Sequence, residues 1–203
     1  MASTPPRVAA LVLAAGGSAR LGIPKQLIGF RGEPLVRRAA RSAAEAGAAP
    51  VVIVLGADAA DIERAVEGLP HTFTVLNEQW RTGLASSLAC GVCELHRLDA
   101  RASGVLIVTA DQPLVDARAL RPLLDAFADG ARLVAAEYSA TIGVPAIIGC
   151  EYMDALLALE GDAGAGRWLR AKGDAVRRIP LREAAVDIDT AEDAALLAPL
   201  AAP

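Results

Sequence analysis

Strand–helix alternation is the feature that most constrains how this chain can fold. Short apolar runs at Val8–Leu13, Val51–Leu55, Phe73–Leu76, Val105–Thr109, Leu133–Ala136, Pro145–Ile148 and Val176–Ile179 are separated by stretches with helical spacing. Several runs are continuously apolar, the pattern of a strand covered on both faces, as in a parallel sheet. Residues 34–46 open on Pro34, a good first-turn residue, and stop at Gly47. Residues 83–97 put Leu84, Leu88, Val92 and Leu95 on one helical face. Residues 117–129 follow Asp116 as N-cap, with Leu120, Leu123, Leu124 and Phe127 turned inward. Shorter helices are expected at 151–159 and 164–172, and Thr190 with Asp193 three positions on opens a last one. This order predicts a three-layer α/β/α fold with a mostly parallel sheet, spanning residues 1–203 as a single domain. In such sheets ligands bind at the carboxyl ends of the strands, so the loops that follow strands are where chemistry is expected.

Composition narrows the partners. Apolar residues make up 54% and charged residues 22%, which excludes a disordered chain. The formal net charge of −4 argues against a nucleic-acid surface, since phosphate-backbone binders carry a basic balance. Three cysteines, Cys90, Cys93 and Cys150, are too few and odd in number for a disulfide framework, which suits a reducing cytoplasm. No apolar stretch has the length of a membrane span. The apolar run behind Arg7 leads straight into a glycine-rich turn, so it reads as a buried first strand and not as a signal peptide. The basic residues are lopsided, with 18 arginines and only two lysines, Lys25 and Lys172.

The first loop holds the densest chemistry. Leu13-Ala14-Ala15-Gly16-Gly17-Ser18-Ala19-Arg20-Leu21-Gly22-Ile23-Pro24-Lys25 gathers glycines, a hydroxyl and two positive charges behind a buried strand. Glycines let main-chain N–H groups approach a phosphate, and Ser18, Arg20 and Lys25 add a hydroxyl and charge. A P-loop is excluded, because Gly22 is followed by Ile23-Pro24-Lys25 and not directly by Lys-Ser/Thr. The dinucleotide G-x-G-x-x-G is excluded because Gly16 and Gly17 are adjacent.

This segment resembles the L-A-[AG]-G-x-S-x-R-[ML]-G-x-P-K signature of MobA-like nucleotidyltransferases, and within them it is most similar to the molybdenum-cofactor cytidylyltransferases. Further matches extend to about residue 193. The resemblance implies a Rossmann-like nucleotidyltransferase fold whose first loop, Leu13 to Ser18, binds a nucleoside triphosphate. Ala15, where guanylyl-transferring relatives tend to have glycine, leans towards CTP over another NTP.

Nucleotidyl transfer to an anionic acceptor calls for a divalent ion, and Mg2+ prefers carboxylate oxygens. Asp111 closes the segment Val105-Leu-Ile-Val-Thr-Ala-Asp111 at the carboxyl end of a buried run, and its Asp-Gln-Pro resembles the family's metal-binding strand end. Asp189, in Asp187-Ile188-Asp189-Thr190, matches the D-[IV]-D-T element and is the expected second metal residue, with Asp187 the alternative. Lys25, Arg20 and Asp111 are thereby the expected catalytic residues. Asn77 to Ser87 resembles the base-reading G-[LM]-x-x-S segment, implicating Gly83, Ser86 and Ser87. Gly143 and Pro145, with Asp162 and Arg167 in Gly161-Asp162-Ala-Gly164-Ala-Gly166-Arg167, match the acceptor side. Val144, Ile148 and the extra Gly166 depart from the usual pattern there.

The implied activity is Mg2+-dependent transfer of CMP from CTP to a phosphorylated pterin, molybdopterin or the molybdenum cofactor, with a molybdoenzyme or its chaperone as a further partner. Two alternatives stay open: a transferase for a sugar or polyol phosphate, and a non-catalytic cofactor carrier. Cys90-Gly-Val-Cys93 falls in mid-helix with no second ligand pair, and His71 and His96 have no partner acid or nucleophile at readable spacing.

Overall fold

In the computed structural model, which describes residues 6–18, 21–98 and 101–200, the first apolar run is β1 (Val8–Leu13), buried along its whole length. Its side chains divide by parity, as they must in an extended chain. Val8, Ala10 and Val12 pack on one face of the sheet, and Ala9, Leu11 and Leu13 on the other. The following strands are β2 (Gly29–Phe30), β3 (Glu33–Pro34), β4 (Val51–Leu55), β5 (Thr72–Leu76), β6 (Gly104–Thr109), β7 (Leu133–Tyr138), β8 (Thr141–Gly149) and β9 (Arg177–Pro180). The helices are α1 (Leu35–Ala46), α2 (Ala59–Val66), α3 (Leu84–Arg97), α4 (Ala117–Ala128), α5 (Met153–Leu157), α6 (Ala165–Arg170) and α7 (Ala191–Leu200).

Seven strands form one sheet in the order β5-β4-β1-β6-β8-β7-β9, and β2 pairs with β3 in a separate ribbon. Within the large sheet only β8 runs against its neighbours, β6 and β7. Helices α1, α2 and α4 cover one face through residues such as Val36, Ile62 and Leu123; α3, α5 and α6 cover the other through Leu88, Leu156 and Leu169. Each such fully buried aliphatic side chain contributes about 1.5–3 kcal/mol relative to exposure. The three-layer, mostly parallel architecture expected from the sequence is therefore the observed one.

Three expectations differ in detail. Helix α2 was not foreseen: only Ile62 and Val66 are buried in it, so its apolar stripe is two residues wide. Strand β8 begins at Thr141, four residues before the expected Pro145, because it forms a tight hairpin with β7 and not a crossover. The stretch 151–159 is a one-turn 3-10 segment at Cys150–Tyr152 followed by the five-residue α5. Among the described residues no helix is long and apolar enough to cross a membrane.

The topology places the carboxyl ends of β1, β4 and β6 side by side, with β1 at the centre. The loops leaving these three strands are the ones that carry the residues singled out above.

Candidate active site

The loop after β1 is shaped by a residue that the sequence did not single out. Gln26, only 2% exposed, donates through Nε2 to the carbonyls of Ala14 (2.8 Å) and Gly16 (2.7 Å). Its Oε1 accepts from the Ser18 hydroxyl at 3.4 Å, and Ser18 Oγ in turn accepts from the Lys25 main-chain N–H at 2.9 Å. The Ser18 hydroxyl is thus spent on the loop itself, and Ser18 holds the left-handed conformation that turns the chain (φ 45°). Gly17 makes room for Trp80: a Cβ there would lie 2.9 Å from the indole ring. Arg20 lies outside the described residues.

Lys25 begins a one-turn 3-10 segment (Lys25–Leu27), and its side chain reaches the far end of the loop. Its Nζ lies 2.7 Å from Asp111 Oδ2 and 2.8 Å from Asp189 Oδ1. Asp111 leaves β6, and Asp189 precedes α7. The two carboxylate segments are joined directly, the Ile188 N–H donating to the Asp111 carbonyl at 3.0 Å. Asp193 accepts from the N–H groups of Asp189 (3.1 Å) and Thr190 (2.8 Å), which anchors Asp189 at the start of α7. Burial acts to lower the Lys25 pKa, but the charge and hydrogen bonds of Asp111, followed by those of Asp189, outweigh it and raise it. Asp187 is exposed, and its pKa is raised by desolvation and then by the neighbouring Asp111 and Asp189 charges. Of the two acids left open by the sequence, Asp189 is the one that meets Lys25 beside Asp111.

Two further side chains hold the Asp111 loop. Arg38, buried on α1, donates from Nε to the Pro113 carbonyl at 2.7 Å. Gln112 donates from Nε2 to the carbonyls of Ala184 (3.0 Å) and Val144 (3.2 Å), tying this loop to the approach to Asp187 and to β8.

Two adjoining cavities open at this end of the sheet. The smaller, about 230 Å3, is lined by Leu13, Ala15, Gly16, Lys25, Thr109 and Asp111, among others. The larger, about 510 Å3, runs past Trp80, Arg81, Gly83 and Asp162. Ala15, Gly16, Leu84 and Ser87 line both. Ser87 is buried and accepts from Asn77 Nδ2 (3.0 Å), which also donates to Ser86 (2.9 Å). The Ser86 hydroxyl is near the carbonyls of Gly83 (2.8 Å) and Gln79 (3.1 Å), so it braces the turn into α3. Arg81 stacks on Trp80, 4.3 Å from the ring centroid.

Gly83 joins the two predicted halves of the site. Its backbone is at φ 119°, ψ 175°, a region open essentially to glycine alone, and a Cβ there would lie 2.3 Å from the Gly161 carbonyl. The Ala85 N–H donates to that same carbonyl at 3.0 Å. Of the acceptor-side residues, Asp162 reaches the larger cavity, and Arg167 is exposed on α6. Gly143 and Pro145 are buried in β8 and line neither cavity; a Cβ on Gly143 would lie 2.6 Å from the Tyr138 hydroxyl oxygen.

Cys90 is half-buried and Cys93 exposed on α3, with the Cys90 thiol pushed up by burial, away from the reactive thiolate. Among the described residues no group of three or more His, Cys, Asp or Glu converges as a metal cluster.

What the arrangement offers is a main-chain loop, one ammonium and two carboxylates at the ends of adjoining strands. The Asp111 and Asp189 oxygens converge on one point already fit for a cation, and an all-oxygen pair of this kind suits Mg2+ or Mn2+ completed by phosphate and water.

The chain is similar to known proteins over most of its length. The profile described as the MobA-like NTP transferase domain matches residues 10–176. The chain is 33% identical over 198 residues to the nicotine blue oxidoreductase of Paenarthrobacter nicotinovorans, covering 92% of this chain and 94% of that protein. The crystal structure of Rv0371c from Mycobacterium tuberculosis H37Rv superposes with a TM-score of 0.82 at 28% identity, over 96% of this chain and 98% of that one. A complex of Rv0371c with manganese superposes with a TM-score of 0.76 at 27% identity, over the same shares of the two chains.

Proposed function

This chain belongs to the MobA-like NTP transferase family, and on that premise we propose that it is a single-domain enzyme (residues 1–203) transferring CMP from CTP to a phosphorylated pterin, molybdopterin or the molybdenum cofactor, in the cytoplasm. Nucleotidyl transfer itself is the family's chemistry; the base, the acceptor and Mg2+ are our reading. The observation that carries it is the meeting of Lys25, Asp111 and Asp189 beside the loop after β1.

In this mechanism a terminal phosphate oxygen of the acceptor attacks the α-phosphorus of the nucleotide in line. The bond from that phosphorus to the bridging oxygen breaks, and pyrophosphate leaves with its electron pair. No covalent enzyme intermediate is needed, so the chain's work is positioning and charge stabilisation. The loop Leu13, Ala14, Ala15, Gly16, Gly17 and Ser18 would cradle the nucleotide, Gly83, Ser86 and Ser87 would border the base, and Lys25 and Arg20 would bind the triphosphate. Of these, Leu13, Ala15, Gly16, Lys25, Gly83 and Ser87 line the two cavities. Asp111 and Asp189 are the residues that would hold the metal, which when bound neutralises charge on the phosphates. On the acceptor side Asp162 lines the larger cavity, while Gly143, Pro145 and Arg167 are assigned there by the family resemblance alone; a molybdoenzyme or its chaperone would collect the product.

The experiment is to incubate the protein with Mg2+ and each of the four common NTPs against a phosphorylated pterin and a panel of sugar and polyol phosphates, measuring pyrophosphate. Release with CTP and the pterin is expected. Release only with a sugar or polyol phosphate selects that alternative, and tight pterin binding without release selects the carrier. The relative from Paenarthrobacter is named for a redox activity. Nicotinamide-dependent reduction of a dye, with no pyrophosphate from any pair, would overturn the transferase reading.

A further inference from the structure

We propose that Lys25 is the resident counter-ion of the metal site, and that a bound nucleotide opens the site to the divalent cation by drawing the Lys25 ammonium away. The proposal rests on the reading of Asp111 and Asp189 as the metal-holding pair and assigns a regulation to that same site.

The Lys25 ammonium touches one oxygen of each carboxylate, Asp111 Oδ2 at 2.7 Å and Asp189 Oδ1 at 2.8 Å. These are charge-assisted distances, so the ammonium fills the point on which the two carboxylates converge. A divalent cation taking the same two carboxylates meets a like charge at contact range. The trio is also shielded: the side chains of Lys25, Asp111 and Asp189 are 18%, 20% and 34% exposed, so solvent screens the repulsion only in part.

The structure also supplies the ammonium with somewhere to go. The Lys25 backbone is fixed by its N–H bond to Ser18 Oγ and by the 3-10 turn it opens, which leaves the four-carbon side chain as the moving part. Lys25 lines the smaller cavity together with Leu13, Ala15 and Gly16, so a polyphosphate lying along that loop comes within reach of the same Nζ. An anion there competes with the carboxylates for the ammonium, and each carboxylate that loses it gains affinity for the metal. Linkage makes the effect reciprocal, the metal tightening the nucleotide by the factor by which the nucleotide tightens the metal. A guanidinium would bridge the two acids with a rigid plane, whereas an ammonium can change partners.

The test is Mn2+ binding followed by the electron paramagnetic resonance signal of the free ion, without nucleotide, on wild type, Lys25→Met and Lys25→Met/Asp189→Asn, each checked for a cooperative thermal transition. Lys25→Met is expected to bind Mn2+ about tenfold tighter than wild type, the scale of removing one partly shielded like charge. The double variant is expected to lose that gain. With CTP added, wild type should gain more Mn2+ affinity than Lys25→Met, after correction for Mn2+ held by CTP in solution. Lys25→Gln, which keeps a donor between the acids, replaces Lys25→Met if the latter does not fold. Equal Mn2+ affinity in wild type and the Lys25 variant overturns the counter-ion role and leaves the metal pair standing. No Mn2+ binding by the Lys25 variant, with or without CTP, overturns the metal pair and this proposal with it.

Discussion

Gln26 Nε2 lies 2.7 Å from the carbonyl oxygen of Gly16. This bond and its companion to Ala14 satisfy two main-chain acceptors at the turn of the loop, in a position almost without solvent. A carboxylate in place of the amide would set negative charge against both carbonyls. Gln26→Glu is expected to cost about 3 kcal/mol of stability by denaturant titration, and to weaken nucleotide binding at least about tenfold by calorimetry.

Asp111→Asn removes a charge while keeping size and shape. Turnover should fall by about a hundredfold or more, with a near-native circular dichroism spectrum, if this carboxylate stabilises charge at the reacting phosphates. An undiminished rate would remove Asp111 from the catalytic machinery.

The scarcity of lysine in this chain gives Lys25→Arg its interest. The change keeps the charge, yet a planar fork cannot shift between two carboxylates and a phosphate as a flexible ammonium can. A loss of about tenfold in kcat/KM is expected from steady-state pyrophosphate release.

Gly83→Ala tests the junction of the two halves of the site. The backbone angles and the Gly161 carbonyl, 2.3 Å from the position of the new Cβ, both oppose the methyl group. The variant should lose about 3 kcal/mol by chemical denaturation. Its KM for nucleotide and for acceptor should rise together, because the Ala85 N–H bond to the Gly161 carbonyl joins the two segments.

A pH effect is expected far from the site. Arg132 pairs with Glu151 through two hydrogen bonds (2.7 and 2.8 Å), which hold the Glu151 carboxyl down at about 2. A depressed acid stabilises the fold above its ordinary value near 4.5, and the contribution is lost as pH falls towards 2. The pair is solvent-exposed, so the effect is below about 1 kcal/mol. Thermal melts of wild type and Glu151→Gln should differ at pH 7 and converge by about pH 2.

Much of the fold was legible because its information is local. Continuous apolar runs reported β1 and β4 to the residue, since both are buried on both faces. Helix α2 buries only Ile62 and Val66, too narrow a stripe to read. The start of β8 at Thr141 is set off from Pro145–Ile148 by a register shift against β7, Ala135 pairing with Ala146 and Ala136 with Gly143. In the site, Asp111 stood out at the end of a buried strand, but its partnership with Lys25 spans 86 residues and that of Asp189 spans 164, distances over which no spacing rule operates. Gln26 was invisible for another reason: its partners are backbone carbonyls, which every residue has and which no side-chain pattern marks.

The spread of Lys25, Asp111 and Asp189 along the chain has a consequence for synthesis. A ribosome makes the lysine first and the second acid last, so a nascent chain carries the phosphate loop long before it carries both carboxylates. A half-made molecule can shield Asp111 with Lys25, yet it has no acid pair to offer a metal ion. The pair of carboxylates is therefore complete only after strands β1 to β9 have all been made.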